Sequence, residues 1–439
     1  MNIPLLLLKY RELRRNERRT PQELSEHRLG KFRRFVGFVR RRSPYYARII
    51  TEQGIDVRTC VPEVFPVLTK STLMENFNDI VTAPAITKEG IADFLSRSND
   101  PCELFRRNFV VLHTSGSSGE IGYFVYSQSD WARGYAQFSR LRSLPFRKLR
   151  AAYFGATQGH FAGVTQFLTL RRSLLKFLYR AEVFEINGSL QPVLDRLNAL
   201  KPHILSGYPS CLLMLAHKQL AGELRVSPSF TYSGGEPLSP DTRDIILKAF
   251  PGHLLNLYDS TEHMLMAITH PLNEGMYLLE DDLIFELHPN HTCVTNLFNR
   301  TLPLIRYRMD DVLQQMPDAD WPLPYTKVKN IIGRMEQALV FTNRQGSEDF
   351  ISPIVIVELH VRNLRRFQIR LLSRSSFLFR ACLARGLRQE EKEDVFRDIR
   401  LKLQEILRQK EMDNVTFDIV EVDDLQVDEK TGKYRLITN

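Results

Sequence analysis

Short apolar runs alternate with helical stretches from about Phe105 to Leu304, and this alternation restricts the fold more than any other feature of the chain. The apolar runs read NFVVLHT, RAAYFGA, AEVFEIN, PHILSGY, SFTYSGG and HLLNLYD. Between them lie stretches of helical character, such as LQPVLDRLNAL, PSCLLMLAHKQLAGEL and SPDTRDIILKAF. Buried strands that alternate with helices are typical of an α/β fold built on a largely parallel sheet.

The pattern changes twice beyond this region. From about Met276 to Arg308 the strands become shorter and no helices separate them, which predicts an antiparallel or barrel-like subdomain. After IIGRMEQALVF come two strand runs, one long helix with an apolar stripe, and a final strand. The predicted fold class is therefore α/β, with a large N-terminal domain of mainly parallel sheets plus a barrel-like subdomain, and a small mobile α+β C-terminal domain. The predicted parts are a basic helical region (1–60), a core domain (61–335) and the C-terminal domain (336–439).

Cysteine usage and hydropathy indicate the cellular compartment in which the protein resides. The five cysteines are scattered and form no CxxC pair, which argues against a disulfide framework or a structural zinc site. Nor do His263, His270, His288 and His291 show a spacing typical of metal ligands. The N-terminus is a poor signal peptide, and no segment approaches the roughly 20 apolar residues of a membrane span. We expect a soluble, cytoplasmic protein.

The net charge of +9 is concentrated near the N-terminus, where arginine and lysine crowd Lys9 to Arg42. A basic helical segment beside Leu5–Leu8 could rest on an anionic membrane or on nucleic acid, and a solvated helix face is the alternative. Aromatic residues do not interleave regularly with the arginines, which argues against nucleic acid. Peripheral membrane contact through this segment stays open.

Four loops with polar or glycine-rich sequence follow apolar strands. In open α/β sheets, ligands bind at the carboxyl ends of strands, where such loops converge. Each loop alone is weak evidence for a ligand site, and the first of them can also be interpreted as a flexible turn. The loops are Thr114–Gly119, Gln158–Gly163, Ser233–Leu238 and Tyr258–His263.

The residue types in these loops suit a nucleotide. Backbone N–H groups and hydroxyls of Thr114–Gly119 could bind a polyphosphate, although the chain has no GxxxxGK[ST] loop. The backbone of SGGEP could pass along the edge of a flat base. Tyr258 offers a ring for stacking, with a core tyrosine as the alternative. Glu262, next to Thr261, suits magnesium, or else a surface ion pair.

Two further segments carry candidate charges. The segment RYRMDDV contains two neighbouring acids, of which Asp311 could accept hydrogen bonds from both hydroxyls of a ribose. The alternative is that these acids belong to a solvated turn. Lys433 lies beside Gly432 in DEKTGKYRLI, a segment with hairpin-turn chemistry, where a lysine is ordinarily solvated.

The order of these pieces resembles the adenylate-forming superfamily, which includes acyl-CoA synthetases and the adenylation domains of peptide synthetases. The hydroxyl-rich loop, SGGEP, YDSTE, RYRMDD, GRMEQ and a terminal TGKYR follow one another as in that superfamily. RRSPYYARII, FPVLTKSTLMEN, PLIRYRMDD and IIGRMEQALVF resemble the phenylacetate–CoA ligase-like branch, which includes capsular-polysaccharide-associated relatives. The resemblance covers about Leu29 to the C-terminus.

The resemblance implies a role for each matching residue. The implied ATP phosphate-binding residues are Thr114, Ser115, Gly116, Ser117, Ser118 and Gly119. The implied adenine-binding residues are Gly234, Gly235, Glu236 and Tyr258. Thr261 would touch the α-phosphate, Glu262 would hold Mg²⁺, and Asp311 would hold the ribose with Arg334 nearby. Glu336 falls at the domain hinge, from which Lys433 would reach the carboxylate and the α-phosphate. His160 and Tyr208 would line the acyl pocket, with a buried core histidine as an equal alternative for His160.

The implied activity is activation of a small carboxylic acid by ATP and Mg²⁺ to an acyl-adenylate, with release of pyrophosphate, followed by transfer to the thiol of coenzyme A. Two alternatives stay open: transfer to a carrier protein, amine or hydroxyl, and a catalytically degenerate basic binding protein. A homodimer is also implied. The chain departs from the superfamily pattern at Glu120 and Ile121, at Asp259 in place of a glycine, and before TGKYR, where no proline stands. Lys433, Glu262 and Asp311 are all present.

Overall fold

The structure is a computed structural model that describes residues 2–114, 121–141, 148–269, 275–316, 323–329, 339–351, 355–356, 359, 361–423, 425 and 436–438. The helices within these ranges are α1 (Ile3–Asn16), α2 (Pro21–Arg42), α3 (Pro44–Glu52), α4 (Lys70–Glu75), α5 (Phe77–Ile80), α6 (Lys88–Arg97), α7 (Gln128–Tyr135), α8 (Ala162–Arg172), α9 (Leu190–Leu200), α10 (Pro209–Leu220), α11 (Pro240–Ala249) and α12 (Gln389–Gln409). Short 3₁₀ turns cover Pro62–Val64, Ala136–Arg140 and Leu174–Phe177.

The strands within the same ranges are β1 (Phe109–His113), β2 (Tyr123–Ser127), β3 (Leu149–Gly155), β4 (Tyr179–Glu185), β5 (Ile204–Gly207), β6 (Phe230–Gly234), β7 (His253–Ser260), β8 (Met264–Thr269), β9 (Met276–Leu278), β10 (Leu283–Leu287), β11 (Thr292–Asn296), β12 (Leu304–Met309), β13 (Lys327–Val328), β14 (Leu339–Thr342), β15 (Glu348–Ile351), β16 (Leu364–Ser373), β17 (Ser376–Leu383), β18 (Thr416–Glu421) and β19 (Ile437–Thr438).

An eight-stranded sheet forms the centre of the fold, in the order β13-β9-β8-β7-β6-β5-β3-β4. Strands β3, β4, β5, β6 and β7 run parallel to one another, whereas β8, β9 and β13 are added antiparallel. Helices cover both faces, because alternate residues of each strand point in opposite directions. On β3, Phe154 packs with α9 and α10, whereas Tyr153 packs against Val164 of α8. The predicted α/β class with a largely parallel sheet is confirmed.

The first apolar run is the exception to the predicted parallel arrangement. Strand β1 does not join the large sheet but pairs antiparallel with β2, with His113 opposite Tyr123. The ends of the connecting loop are held together because Thr114 N–H donates to Gly122 O at 3.0 Å, and Gly122 N–H donates to Thr114 Oγ1 at 2.9 Å. The hydroxyl-rich segment therefore connects a hairpin rather than leading from a sheet strand into a helix.

The antiparallel character predicted after Met276 is present. Strands β10, β11 and β12 form a three-stranded antiparallel sheet, whereas β9 joins the edge of the large sheet. In the C-terminal part, β18-β17-β16-β19 form a four-stranded sheet, in which β16, β17 and β18 agree with the predicted strands and β19 was not predicted. The predicted apolar stripe of α12 is buried at Val395, Ile399, Leu403 and Leu407.

A buried lysine ties the C-terminal part to the core. Lys410, just after α12, forms an ion pair with Asp349 of β15 at 3.0 Å and donates to the carbonyls of Ile186 and Gly188 at 3.1 Å each. Phe350 of β15 also meets Phe154 of β3 edge-to-face, with ring centroids 6.3 Å apart. The domain boundary at residue 336 stays a prediction.

The basic N-terminal helices fold against an acidic turn between β9 and β10. Arg28 pairs with Glu280 at 2.6 Å, and both Lys9 and Lys31 pair with Asp282, at 2.5 and 2.8 Å. Burial alone would raise the pKa of Asp282, but Lys31 and Lys9 hold it well below its usual range. Part of the basic segment thus serves internal ion pairs. Within the part of the chain that the structure describes, no helix has the length and apolar character needed to cross a membrane.

Candidate functional site

A cavity of about 440 Å³ opens at the carboxyl ends of β5, β6 and β7. Three of the four predicted loops contribute to its wall, with Phe161–Gly163 from the second, Gly234–Gly235 from the third and Asp259–Thr261 from the fourth. His113, at the end of β1, also lines the cavity, whereas residues 115–119 of the first loop lie outside the described residues. The sheet topology therefore brings together three of the loops that the sequence singled out.

Behind the loops, the cavity continues as an apolar slot between the sheet and α8. Ile204 and Tyr208 lie on the same wall four residues apart along the chain, so the slot extends for roughly 10–13 Å at the rise of a strand. Its aromatic lining residues are Tyr135, Phe138, Tyr153, Phe161, Phe167, Tyr179, Tyr208 and Tyr232. This lining favours an apolar or aromatic group of substantial size.

Gln166 of α8 places an amide in this otherwise apolar wall. Its side chain is 4% exposed, and its Nε2 finds no hydrogen-bond acceptor among the described residues. A buried donor without a partner costs about 1–3 kcal/mol. An acceptor oxygen on a bound molecule would remove that cost.

The glycine loop after β6 shapes the mouth of the cavity. Gly235 has φ +81°, a left-handed conformation that disfavours other residues, and a Cβ at Gly234 would approach Asp259 Oδ1 to 3.3 Å. Glu236 does not line the cavity, because its carboxylate accepts from Ser210 N–H and Ser210 Oγ at 3.0 Å each. It thereby anchors the loop to the N-terminus of α10, and its predicted adenine contact stays a prediction.

Asp259 places a carboxylate on the cavity wall. Burial raises its pKa from 3.8 to about 6, although backbone N–H groups of Asp259 and Gly235 oppose the rise. Asp259 is one of the positions at which the sequence departs from the pattern that it otherwise resembles. His113 faces the same space, and burial lowers its pKa, which keeps the imidazole neutral at neutral pH.

Tyr258 and Asp311 come together although 53 residues separate them. Tyr258 Oη donates to Asp311 Oδ2 at 2.8 Å, and burial, followed by the Asp311 charge, raises the tyrosine pKa. Thr292 Oγ1 donates to the Asp311 carbonyl at 2.9 Å, which holds the Asp311 segment against β11. Tyr258 is not on the cavity wall. The predicted adenine and ribose residues are thus adjacent, and their roles stay predictions.

Thr261 and Glu262 are fixed by two buried tyrosines. Tyr126 Oη lies 2.8 Å from the carbonyls of both residues, and Tyr307 Oη donates to Glu262 Oε1 at 3.4 Å. Burial raises the Glu262 pKa, and its backbone N–H and Lys70 oppose the rise. Thr261 lines the cavity, whereas Glu262 lies behind it. A deprotonated carboxylate is the kind of oxygen donor that Mg²⁺ takes.

The two predicted acyl-pocket residues differ in position. Tyr208 lines the cavity. His160 does not, because its Nε2 lies 3.1 Å from Ser98 Oγ and its ring packs against Phe94. This environment agrees with the alternative of a core histidine.

Several predicted residues lie outside the described residues. Their implied roles stay predictions: Ser115, Gly116, Ser117, Ser118, Gly119, Arg334, Glu336 and Lys433. Conversely, the sequence analysis did not assign His113 and Gln166 to the site. His113 directly precedes the hydroxyl-rich loop, which was a usable signal, whereas nothing in the helical pattern of α8 distinguishes Gln166.

No family model matches the sequence, and no curated protein matches it. Solved structures of 2-hydroxyisobutyryl-CoA ligase are similar to the chain. Its complex with 2-HIB-AMP and CoA in the thioesterification state has a TM-score of 0.63 at 18% identity, over 97% of this chain and 91% of that one. The postadenylation state with R3-HIB-AMP gives 0.59 at 18% identity, over 97% and 91% of the two chains. An open conformation with 2-HIB-AMP and CoA gives 0.56 at 16%, over 94% and 90%. The chain therefore has the fold of 2-hydroxyisobutyryl-CoA ligase.

Proposed function

We propose that the protein activates a carboxylic acid with ATP and Mg²⁺ to an acyl-adenylate, releases pyrophosphate, and then transfers the acyl group to the thiol of coenzyme A. The observation that carries this proposal is the shared cavity. Residues from three strand-end loops, together with His113 of β1, surround one opening, and an apolar slot leads away from it. This shape suits a molecule with a polar nucleotide end and an apolar acyl end.

The chemistry needs positioning and charge neutralisation more than acid–base catalysis. A carboxylate oxygen attacks the α-phosphorus, the bond to the bridging oxygen breaks, and pyrophosphate leaves with that electron pair. Thr261, on the wall, would contact the α-phosphate, and Asp311, held by Tyr258, would hold the ribose. The apolar slot would shield the adenylate from water. Lys433 would approach from the C-terminal part.

Magnesium is supported by the oxygen donors present. Glu262 would hold the ion, whose charge would neutralise the phosphate oxygens during attack. Asp259, unlike Glu262, offers a carboxylate on the cavity wall itself.

Coenzyme A is the acceptor that the comparisons favour, because 2-hydroxyisobutyryl-CoA ligase is described in complex with CoA. The thiolate sulfur would attack the acyl carbon, and AMP would leave. The ordered motifs of the sequence support specificity of the phenylacetate–CoA ligase-like kind. The length and aromatic lining of the slot support an aryl or extended apolar acid.

The test is acid-dependent pyrophosphate release from ATP and Mg²⁺, measured without coenzyme A across aromatic, fatty and amino acids. We expect release with apolar acids that fill the slot. Leu170→Trp, which adds bulk at the slot wall, should abolish release with large acids and spare small ones. Leu174→Trp, at a position that is 60% exposed, is the matched control.

Two results would contradict the proposal in different ways. If no acid in the panel gives pyrophosphate release and the protein does not bind ATP, a catalytically degenerate binding protein would be favoured. Pyrophosphate release without thioester formation, followed by conjugate formation when carrier proteins or amines are supplied, would replace coenzyme A as the acceptor. In the second case, mass spectrometry of the conjugate identifies the acceptor.

A further inference from the structure

A cluster of two histidines and one cysteine lies at the turn between β10 and β11. One ring nitrogen of His288, one of His291 and the sulfur of Cys293 all lie within 4.8 Å of one another. The two imidazoles stack with centroids 4.4 Å apart and ring planes 12° from parallel. The cluster belongs to the three-stranded sheet, and none of its members lines the cavity described above.

The strand register explains why these side chains meet. Glu286 of β10 pairs with Cys293 of β11, and His288 N–H donates to the His291 carbonyl at 3.0 Å across the turn. Residues directly opposite in an antiparallel pair share a face, as do residues two apart on one strand. His288, His291 and Cys293 therefore project from the same face of the hairpin. Sequence spacing alone did not suggest this, because the residues meet across a turn and the cysteine was not considered with the histidines.

The nitrogens are set up to offer lone pairs. His291 Nδ1 lies 2.7 Å from Asn290 Oδ1, and since that oxygen can only accept, Nδ1 carries the proton and Nε2 carries the lone pair. His288 Nε2 is buried and has no hydrogen-bond partner within the described ranges. Cys293 is fully buried beside them.

Two arginines lie beside the cluster, and each forms an ion pair. Arg306 is bound to Glu286, with Nη2 2.7 Å from Oε2, and Arg308 lies 3.4 Å from Asp310. Each arginine beside the cluster is thus matched by a carboxylate. A divalent ion bound to one thiolate would keep one net positive charge, because the thiolate cancels one of its two charges.

We propose that His288, His291 and Cys293 bind a late first-row divalent metal ion, with Zn²⁺ as the preferred ion. Two imidazoles and one thiolate are the ligands that zinc takes, with bond lengths of about 2.0–2.3 Å. Tetrahedral geometry at these lengths needs donor separations of about 3.3–3.6 Å. Ring nitrogen lone pairs lie in the ring plane, so the two stacked imidazoles must rotate out of their parallel arrangement to bind one ion. The fourth position is left for water.

The position of the ion gives the site a structural consequence. Thr292 lies between His291 and Cys293, and its hydroxyl holds the Asp311 segment at 2.9 Å. Asp311 in turn accepts from Tyr258. A metal ion that stiffens this turn therefore supports the side of the molecule that carries the predicted ribose residue, without touching the substrate.

The experiment uses the full-length, untagged, metal-stripped protein titrated with Zn²⁺ alone against a competing chelator, and with Co²⁺ as a spectroscopic probe. We expect one Zn²⁺ per chain, and Co²⁺ should give a thiolate-to-cobalt charge-transfer band. Cys293→Ser and His291→Asn should each weaken Zn²⁺ binding by more than about 100-fold, because loss of a ligand exceeds the 10–100-fold effect of losing a partner outside the ligand shell. Cys60→Ser, which replaces a buried cysteine elsewhere, should leave it unchanged.

Folding is checked by circular dichroism, and His291→Asn, at a partly exposed position, serves if Cys293→Ser does not fold. The proposal is overturned if the wild-type protein binds no Zn²⁺, if binding survives both ligand variants, or if the Co²⁺ complex lacks the thiolate band. The proposed adenylation is measured separately, so either proposal can fail without the other.

Discussion

Replacing Asp259 by asparagine should stabilise the protein at neutral pH. The Asp259 carboxylate is charged at pH 8 but lies on the wall of a largely apolar cavity, and burial raises its pKa from 3.8 to about 6. Because each pKa unit equals about 1.4 kcal/mol, the charged form costs the folded state about 3 kcal/mol relative to the unfolded chain. Asparagine has nearly the same shape and keeps an acceptor for Gly235 N–H.

The sign of the pH dependence follows from the raised pKa. Between about pH 4 and 6 the folded state binds more protons at Asp259 than the unfolded state does, so stability falls as pH rises through this window. Asp259→Asn removes that fall. The variant and the wild type should therefore unfold alike near pH 4, and the variant should be more stable by up to about 3 kcal/mol above pH 7.

Chemical denaturation followed by circular dichroism from pH 4 to 8 measures this difference. Asp244→Asn, which removes a carboxylate that is 74% exposed on α11, is the control and should track the wild type throughout. A difference between Asp259→Asn and the wild type that does not vary with pH would refute the reasoning. So would a variant less stable than the wild type at pH 8.

Three further substitutions test other parts of the structure. Lys410→Met should lower the free energy of unfolding by about 3–5 kcal/mol in urea titrations, because it leaves Asp349 buried without its cation; a change below 1 kcal/mol would contradict this. Tyr258→Phe should raise KM for ATP by roughly 10–100-fold, because a hydrogen bond to a charged group contributes about 1.5–3 kcal/mol and Asp311 would lose its orientation; unchanged KM in steady-state kinetics would remove the pair from the ribose site. Gln166→Leu should reduce kcat/KM for acids with an oxygen substituent remote from the carboxyl group and spare purely apolar acids; equal losses for both would indicate a packing role alone.

Much of the sheet was predictable because its strands are marked locally. Each parallel strand is an apolar run bounded by a polar or glycine-containing loop, and burial on both faces requires such runs. Strand β1 has the same local character yet lies in a hairpin. Its partner is set by hydrogen bonds that close the loop between Thr114 and Gly122, and apolar periodicity carries no information about strand pairing.

The site was predictable at the level of loops and less so at the level of side chains. The rule for carboxyl ends of parallel strands brings three of the four loops together, as the cavity lining shows. It does not specify that Glu236 turns back to Ser210, or that His160 packs against Phe94. Those outcomes depend on the direction of a turn and the rotation of a helix, which neighbouring residues in the sequence do not fix.

Buried polar groups differ in how completely their interactions are satisfied, and this difference separates supporting contacts from the candidate site. Lys410 is almost fully buried, yet one carboxylate and two carbonyls surround its ammonium group, which matches its three protons. On the cavity wall, by contrast, Asp259 has a pKa raised by burial and Gln166 Nε2 is without an acceptor among the described residues. A buried polar group that lowers stability in the free protein persists where a ligand completes its interactions. Asp259 and Gln166 face the same space as Thr261 and Gly234, which favours this cavity as the place where a ligand binds.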